Sequence, residues 1–323
     1  MDVEALAAGV RAGERRPVGR AISLAEAQGE EGRSLVAALH ASTGRALRVG
    51  VTGAPGVGKS TLIGALIRHL RAGGPRVGVV SVDPTSPFTR GAVLGDRVRL
   101  ADHFLDPGVF IRSMASRGHH GGLAEATADA VLVLDAAGYD VVLVETVGTG
   151  QNEVEVQALT ETVVLVLMPG SGDSIQALKA GLMEIPDVLV INKADRPGAD
   201  LLRADLEAAL SLVPPGPWRP PIVSTRALDG EGIAELWEQV LRHREFLAAD
   251  GRLEARRRDG LARQLRALAV DRLARGVDEA AEPAFLEEII DQVLSRALDP
   301  ATAVDRVLAR VRPASPGDPP APR

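Results

Sequence analysis

Residues 53–61 read GAPGVGKST. The run fits G-x-x-x-x-G-K-[ST], follows the apolar segment 47–52 and precedes a helical pattern over 62–71. That strand, loop and helix setting is what the pattern requires. Gly53, Ala54, Pro55, Gly56, Val57 and Gly58 form a loop whose backbone N–H groups can cradle phosphate oxygens at a helix N-terminus. Lys59 is placed to reach the β- and γ-phosphates, and the Ser60 hydroxyl to ligate Mg²⁺, with Thr61 completing the nucleotide-binding run. Outward from this loop, short β-branched runs alternate with helical segments, at 47–52, 77–82, 109–113, 141–145, 163–168, 188–192 and 221–224. Runs that are apolar on both faces and alternate with helices imply an α/β fold with a doubly wound, mostly parallel sheet and right-handed crossovers.

The second informative stretch is NKAD, residues 192–195, directly after the run 188–191. In Asn-Lys-x-Asp the aspartate, here Asp195, accepts two hydrogen bonds from the guanine ring N–H and exocyclic amine. Adenine cannot supply that pair, so the site discriminates strongly. Asn192 supports the base edge and the Lys193 stem packs along the base plane. A third stretch, DVVLVETVGTGQNEVEV over 140–156, carries an apolar strand into Glu145 and on to Gly148. It is similar to the D-x-x-G switch of GTPases with Glu in the first position. Glu145 is expected to hold Mg²⁺ indirectly or order the attacking water, and Gly148 to offer its N–H to the γ-phosphate. Thr149 follows, where Ras-type enzymes carry a water-orienting Gln, and Gln151 comes two places later. Slow hydrolysis that needs a partner is therefore expected.

The loop DPTSPFTRGAVLGDRVRL, 83–100, offers Asp83, Thr85, Ser86 and Asp96 as oxygen partners for Mg²⁺. MPGSGDSIQALKAGLMEIPD, 168–187, leaves a strand through Gly170 and Gly172 and enters a helix capped near Asp173 or Ser174 that carries Lys179. His119 and His120 are adjacent and diverge, which makes them a poor metal pair.

The 323-residue chain has a formal net charge of -6 and only 2% aromatic residues, so no basic or stacking surface points to nucleic acid. No apolar run is long enough for a membrane span and no basic-then-apolar leader opens the chain, so a cytoplasmic protein is expected. The absence of cysteine excludes disulfides, thiolate metal sites and cysteine catalysis. Lysine occurs three times, at Lys59, Lys179 and Lys193, against an arginine-rich background. Where lysine survives such a bias, a compact point charge is required. The chain divides into an N-terminal helical extension over 1–45, a P-loop nucleotide domain over 46–244, a helical segment over 245–311 and a disordered tail over 312–323.

The order of GAPGVGKST, DPTSPFTRGAVLGDRVRL, SMASRGHHGGLAEAT, VETVGTGQNEVEV, PGSGDSIQALKAGLMEIPD and NKADRPGA resembles the MeaB/ArgK family, GTPases associated with methylmalonyl-CoA mutase. The likeness covers about residues 20 to 310, and 83–99 and 169–199 are its most specific stretches. It implies a P-loop fold of the SIMIBI type, GTP and GDP as ligands with Mg²⁺, and slow hydrolysis. It also implies homodimerisation through the C-terminal helices, and a partner that is an adenosylcobalamin-dependent acyl-CoA mutase. The GTPase protects that mutase and gates its cofactor loading. By position, Lys59 and Ser60 serve phosphate and Mg²⁺, while Asp83, Asp96 and Glu145 form the acidic set. Asn192, Lys193 and Asp195 read guanine, with Ser224, Ala227 and Leu228 in the loop behind the base. The segment from Asp173 to Lys179 reports nucleotide state to the mutase. Arg90, His120 and Arg226 depart from the family pattern, Arg226 standing where a small residue is common. Two alternatives stay open. A nickel-inserting GTPase would need a Cys/His platform that the chain lacks, and an amino-acid-transport-linked kinase would transfer phosphate to a protein or small molecule.

Overall fold

The structure is a computed structural model and describes residues 2–84, 100–116, 120–146, 152–170, 186–212, 214, 216–280 and 283–311. Among these residues, seven strands form one parallel sheet. They are β1 (Leu47–Thr52), β2 (Val77–Pro84), β3 (Val109–Ser116), β4 (Val141–Thr146), β5 (Thr162–Leu167), β6 (Val188–Asn192) and β7 (Ile222–Thr225). Their spatial order is β3-β2-β4-β1-β5-β6-β7. All seven runs expected from the sequence are strands. β3 continues to Ser116 because it pairs with β2 as far as Pro84.

The period of two explains the layering. In β4, Val141 and Leu143 join a cluster with Leu62, Leu66 and Leu236, from the helices Lys59–Ala72 and Ile233–Ala248. Val142 and Val144 point the other way, to Leu134 and Ile22. Leu165, Leu167, Leu189 and Ile191 of β5 and β6 meet Leu202, Leu206 and Leu210 of the helix Ala199–Leu212. Each fully buried aliphatic side chain contributes about 1.5–3 kcal/mol, so a sheet covered on both faces dominates the stability.

The helices Val3–Arg11, Arg15–Glu26 and Glu30–His40 bury Val10, Val18, Ile22, Leu35 and Leu39 in the same cluster as Ala130, Val133 and Leu134 of the helix His120–Ala136. The apolar side chains of that helix need cover, and these three helices supply it. They form a layer of the core as well as an extension. Asp135 ties their end to β1 by accepting the backbone N–H of Gly44, Arg45 and Ala46 at 2.7, 3.1 and 3.1 Å.

The chain resolves into two compact units, Met1–Gln264 and Leu265–Arg323, with the boundary inside the helix Arg252–Ala280. In the second unit the helices Pro283–Leu294 and Pro300–Val311 bury Ile289, Leu298 and Ala303 together, and the Arg310 guanidinium lies 3.8 Å from the Phe285 ring centre. Leu286, Ile290 and Leu294 are exposed one turn apart along the first of these helices, and Val304 and Leu308 along the second.

Candidate nucleotide site

In an open parallel sheet, ligands bind at the carboxyl ends of the strands, where the strand order reverses. Here that point is β1, which has β4 on one side and β5 on the other. The loop after β1 is shaped by close approaches. Gly53 has φ 140°, and a Cβ there would lie 2.2 Å from the Val166 carbonyl oxygen. Gly58 has φ 98°, and its Cβ would lie 2.5 Å from Asn192 Nδ2. Only glycine fits both the left-handed backbone and the space. Lys59, 7% exposed, donates to the carbonyls of Gly53 at 2.8 Å and Ala54 at 3.2 Å, which places its ammonium inside the loop curve.

Ser60 donates its hydroxyl to Glu145 Oε1 at 2.8 Å, and Ser81 donates to Glu145 Oε2 at 3.0 Å. The carboxylate is 5% exposed. The parallel register sets this up, since Ser81 and Val51 are both aligned with Glu145 across β2, β4 and β1. None of the sequence motifs includes Ser81, and the signal for it is the one hydroxyl inside the apolar run VGVVSV. Nearby, the Thr52 and Thr146 hydroxyls are buried without a hydrogen-bond partner among the described residues, at the carboxyl ends of β1 and β4.

On the other side of β1, Asn192 joins three segments. Its Nδ2 donates to the Val57 carbonyl at 2.9 Å, and its Oδ1 accepts from Thr225 Oγ1 at 3.1 Å and from the Ala227 N–H at 3.3 Å. Lys193, at φ 56°, donates to the Gly56 carbonyl at 2.7 Å, and its stem passes Gly58. Burial lowers its pKa first and the Arg196 charge second, with Asp195 opposing. Ala194 N–H donates to the Thr225 carbonyl at 3.1 Å. Ser224 does not join this network. Its hydroxyl accepts from Arg203 at 3.0 Å. Thr225 is the hydroxyl that braces Asn192, and one residue's shift along β7 is enough to exchange their faces. Leu228 is 83% exposed at the rim and Ala227 is buried.

Asp83 is the residue before the last of β2, in register with Ala115. Asp96, Gly148, Asp173 and Lys179, together with Thr85, Ser86, Thr149 and Gln151, lie outside the described residues.

A second polar cluster, not anticipated from the sequence, sits at the opposite ends of β5 and β6. Asp187 accepts from Arg256 NH1 at 3.1 Å and NH2 at 2.6 Å, and from the Val163 N–H at 2.8 Å. His243 Nε2 lies 3.3 Å from its Oδ1, and His243 Nδ1 shares a hydrogen bond with Thr162 Oγ1 at 2.9 Å. Burial pushes Asp187 up to about 6, against the opposing pull of Arg256. Burial and then the Arg256 charge push His243 down to about 3. Neutral His243 can therefore accept from Thr162 and donate to Asp187.

The linkage signs oppose each other. Folded Asp187 keeps a proton that the unfolded chain gives up, so its contribution to stability is present at low pH and lost as pH rises through about 6. Folded His243 refuses a proton that the unfolded chain accepts, so its contribution is lost as pH falls toward 3. Asp187→Asn removes the first effect only. Its stability is expected to fall more steeply on acidification from pH 6 to 4 than that of the parent, which urea midpoints across that range will check.

Comparison with known proteins fits this geometry. The family described as "Methylmalonyl Co-A mutase-associated GTPase MeaB" matches residues 18–282. The chain belongs to the MeaB family. A Pyrococcus abyssi relative whose name calls it a GTPase is 48% identical over 306 residues, 94% of each chain. The Escherichia coli GTPase ArgK is 38% identical over 254 residues, 76% of this chain and 77% of its own. The crystal structure of a protein named as a LAO/AO transport system kinase is 28% identical with a TM-score of 0.72, covering 94% of this chain and 96% of that one. As a MeaB-family member the protein is a P-loop GTPase.

Proposed function

We propose that this GTPase is a chaperone for an adenosylcobalamin-dependent acyl-CoA mutase, gating cofactor loading and protecting the mutase from inactivation. The observation that carries this reading is the family match over 18–282, whose description names methylmalonyl-CoA mutase. The segments 83–99 and 169–199, which generic P-loop GTPases do not share, lie within that span. In this reading GTP seats its phosphates in the loop 53–58, Lys59 turns from the Gly53 and Ala54 carbonyls to the β- and γ-phosphates, and the guanine ring meets Asp195.

The donor set fits Mg²⁺, a cation that prefers oxygen and keeps several waters. Ser60 and Glu145 offer oxygens within hydrogen-bond distance of each other, and the unpartnered Thr52 and Thr146 hydroxyls add acceptors nearby. Asp83 and Asp96 are proposed to complete the acidic set. Bound there, Mg²⁺ supplies charge neutralisation for the transferring phosphoryl group. Ser81 holds Glu145 in place for this role. Ser81→Ala removes one of its donors and is expected to cost about 1–2 kcal/mol of stability. It should also raise the Mg²⁺ concentration needed for half-maximal hydrolysis, as a Mg²⁺ titration of GTP turnover will show.

The proposed conformational output is the segment containing Asp173 and Lys179, acting on a docked mutase. Energetically, hydrolysis shifts the complex between two states. The exposed apolar stripes Leu286–Ile290–Leu294 and Val304–Leu308 support homodimerisation through the C-terminal helices. A cytoplasmic location matches the mutase role. The test is spectroscopic transfer of adenosylcobalamin to apo-mutase, with and without the GTPase, under GTP and under GDP. Nucleotide-dependent loading supports the reading. Phosphate transfer from labelled GTP to an acceptor other than water would favour the transport-kinase alternative, which the name of the similar crystallised protein suggests.

A further inference from the structure

The loop after β7 carries an arginine at the guanine end of the site. Arg226 NH2 lies 2.6 Å from Asp229 Oδ2, its NH1 lies 3.1 Å from Glu231 Oε2, and its Nε lies 4.0 Å from Asp195 Oδ1. The backbone reinforces the placement. Arg226 N–H donates to the Glu231 carbonyl at 3.0 Å, and Asp229 and Gly230 N–H both donate to the Arg226 carbonyl at 3.0 Å. Two loops that share no covalent neighbour, 193–196 and 226–231, thus meet at one guanidinium. Next along the chain, Ala227 N–H reaches Asn192.

The charges make the contact consequential. One cation faces three carboxylates, and one of the three is the group assigned to reading guanine. Asp229 and Glu231 hold the planar fork by two of its edges. The remaining Nε edge faces Asp195. We propose that Arg226 is a positioning residue for guanine specificity. It fixes the Asp195 carboxylate toward the base and neutralises Asp229 and Glu231, which would otherwise repel it. This rests on Asp195 reading guanine. An exposed ion pair adds little to folding stability. Its effect is instead on which purine binds, because a displaced carboxylate loses the bond from the exocyclic amine that distinguishes guanine from hypoxanthine.

The experiment measures dissociation constants of GDP and IDP, which lacks the 2-amino group, for the parent, Arg226→Ala, Arg226→Lys and Asp195→Asn. Arg226→Ala is expected to weaken GDP by about tenfold and IDP by less, so that the GDP preference shrinks. Arg226→Lys keeps the charge but not the fork and should restore part of that preference. A general loosening of the loop would weaken both nucleotides equally. An unchanged GDP to IDP ratio in Arg226→Ala, while Asp195→Asn lowers it, overturns the role of Arg226 alone. A ratio unchanged in Asp195→Asn overturns the guanine reading of Asp195, and this proposal with it.

Discussion

Lys59→Ala is expected to lower the rate of GTP hydrolysis by about 10²–10³-fold, because removing one preorganised charge from a transferring phosphoryl group costs that much. The ammonium is buried inside the loop and bound to the Gly53 and Ala54 carbonyls. It therefore stands at the loop where phosphate oxygens would enter, and turns from those carbonyls to meet them. Lys59→Arg should not rescue the loss. A planar guanidinium fork does not replace the compact ammonium that the Gly53 and Ala54 carbonyls hold. Single-turnover hydrolysis, with circular dichroism to establish the fold, checks this. A Lys59→Ala variant hydrolysing within about threefold of the parent would mean that the loop does not hold the reacting phosphates.

Arg256→Ala is expected to destabilise the protein by about 3–5 kcal/mol at pH 7.5, since it leaves a buried carboxylate without its cation. Asp187 keeps only the Val163 N–H and the neutral His243 as partners after that change. The loss should be smaller at pH 5. Asp187 already titrates near 6 in the parent, and without Arg256 it moves higher, so at pH 5 it takes a proton and ceases to be a buried charge. Combining Arg256→Ala with Asp187→Asn should recover part of the loss at pH 7.5. Denaturant midpoints at both pH values test the sign. A cost below about 1 kcal/mol at pH 7.5 would mean that the pair behaves like a solvated surface bridge.

The two predictions draw on features that differed in how readable they were. The loop over 53–61 and the NKAD tetrapeptide announce themselves because phosphate and guanine recognition use residues contiguous in the chain. Ser60 belongs to that loop and Glu145 to the stretch 140–156, and the structure brings them to 2.8 Å although 85 positions separate them. Ser81 was not readable, because it depends on the register of β2 against β4. Thr225, which braces Asn192, was not readable for a related reason. Which face of β7 looks toward Asn192 is decided by pairing with β6, which aligns Asn192 with Thr225.

The Asp187, His243, Thr162 and Arg256 cluster was out of reach altogether. Its members come from β5, the residue before β6, and two later helices, and no local spacing links them. Arg256 itself belongs to a run of three arginines, 256–258, with no motif around it. Arg256 points to Asp187, and Arg257 pairs with the buried Glu161, which Arg48 also holds. The N-terminal helices were legible as helices, but their part in the core depends on the apolar helix His120–Ala136 beneath them.

The measurement that tests the account most directly is GTP turnover of the purified protein, alone and with an adenosylcobalamin-dependent acyl-CoA mutase from the same source. Slow basal hydrolysis that rises several-fold with the mutase, and does not rise in Lys59→Ala, is the predicted result. Turnover unchanged by the mutase across a saturating concentration range would contradict the chaperone role.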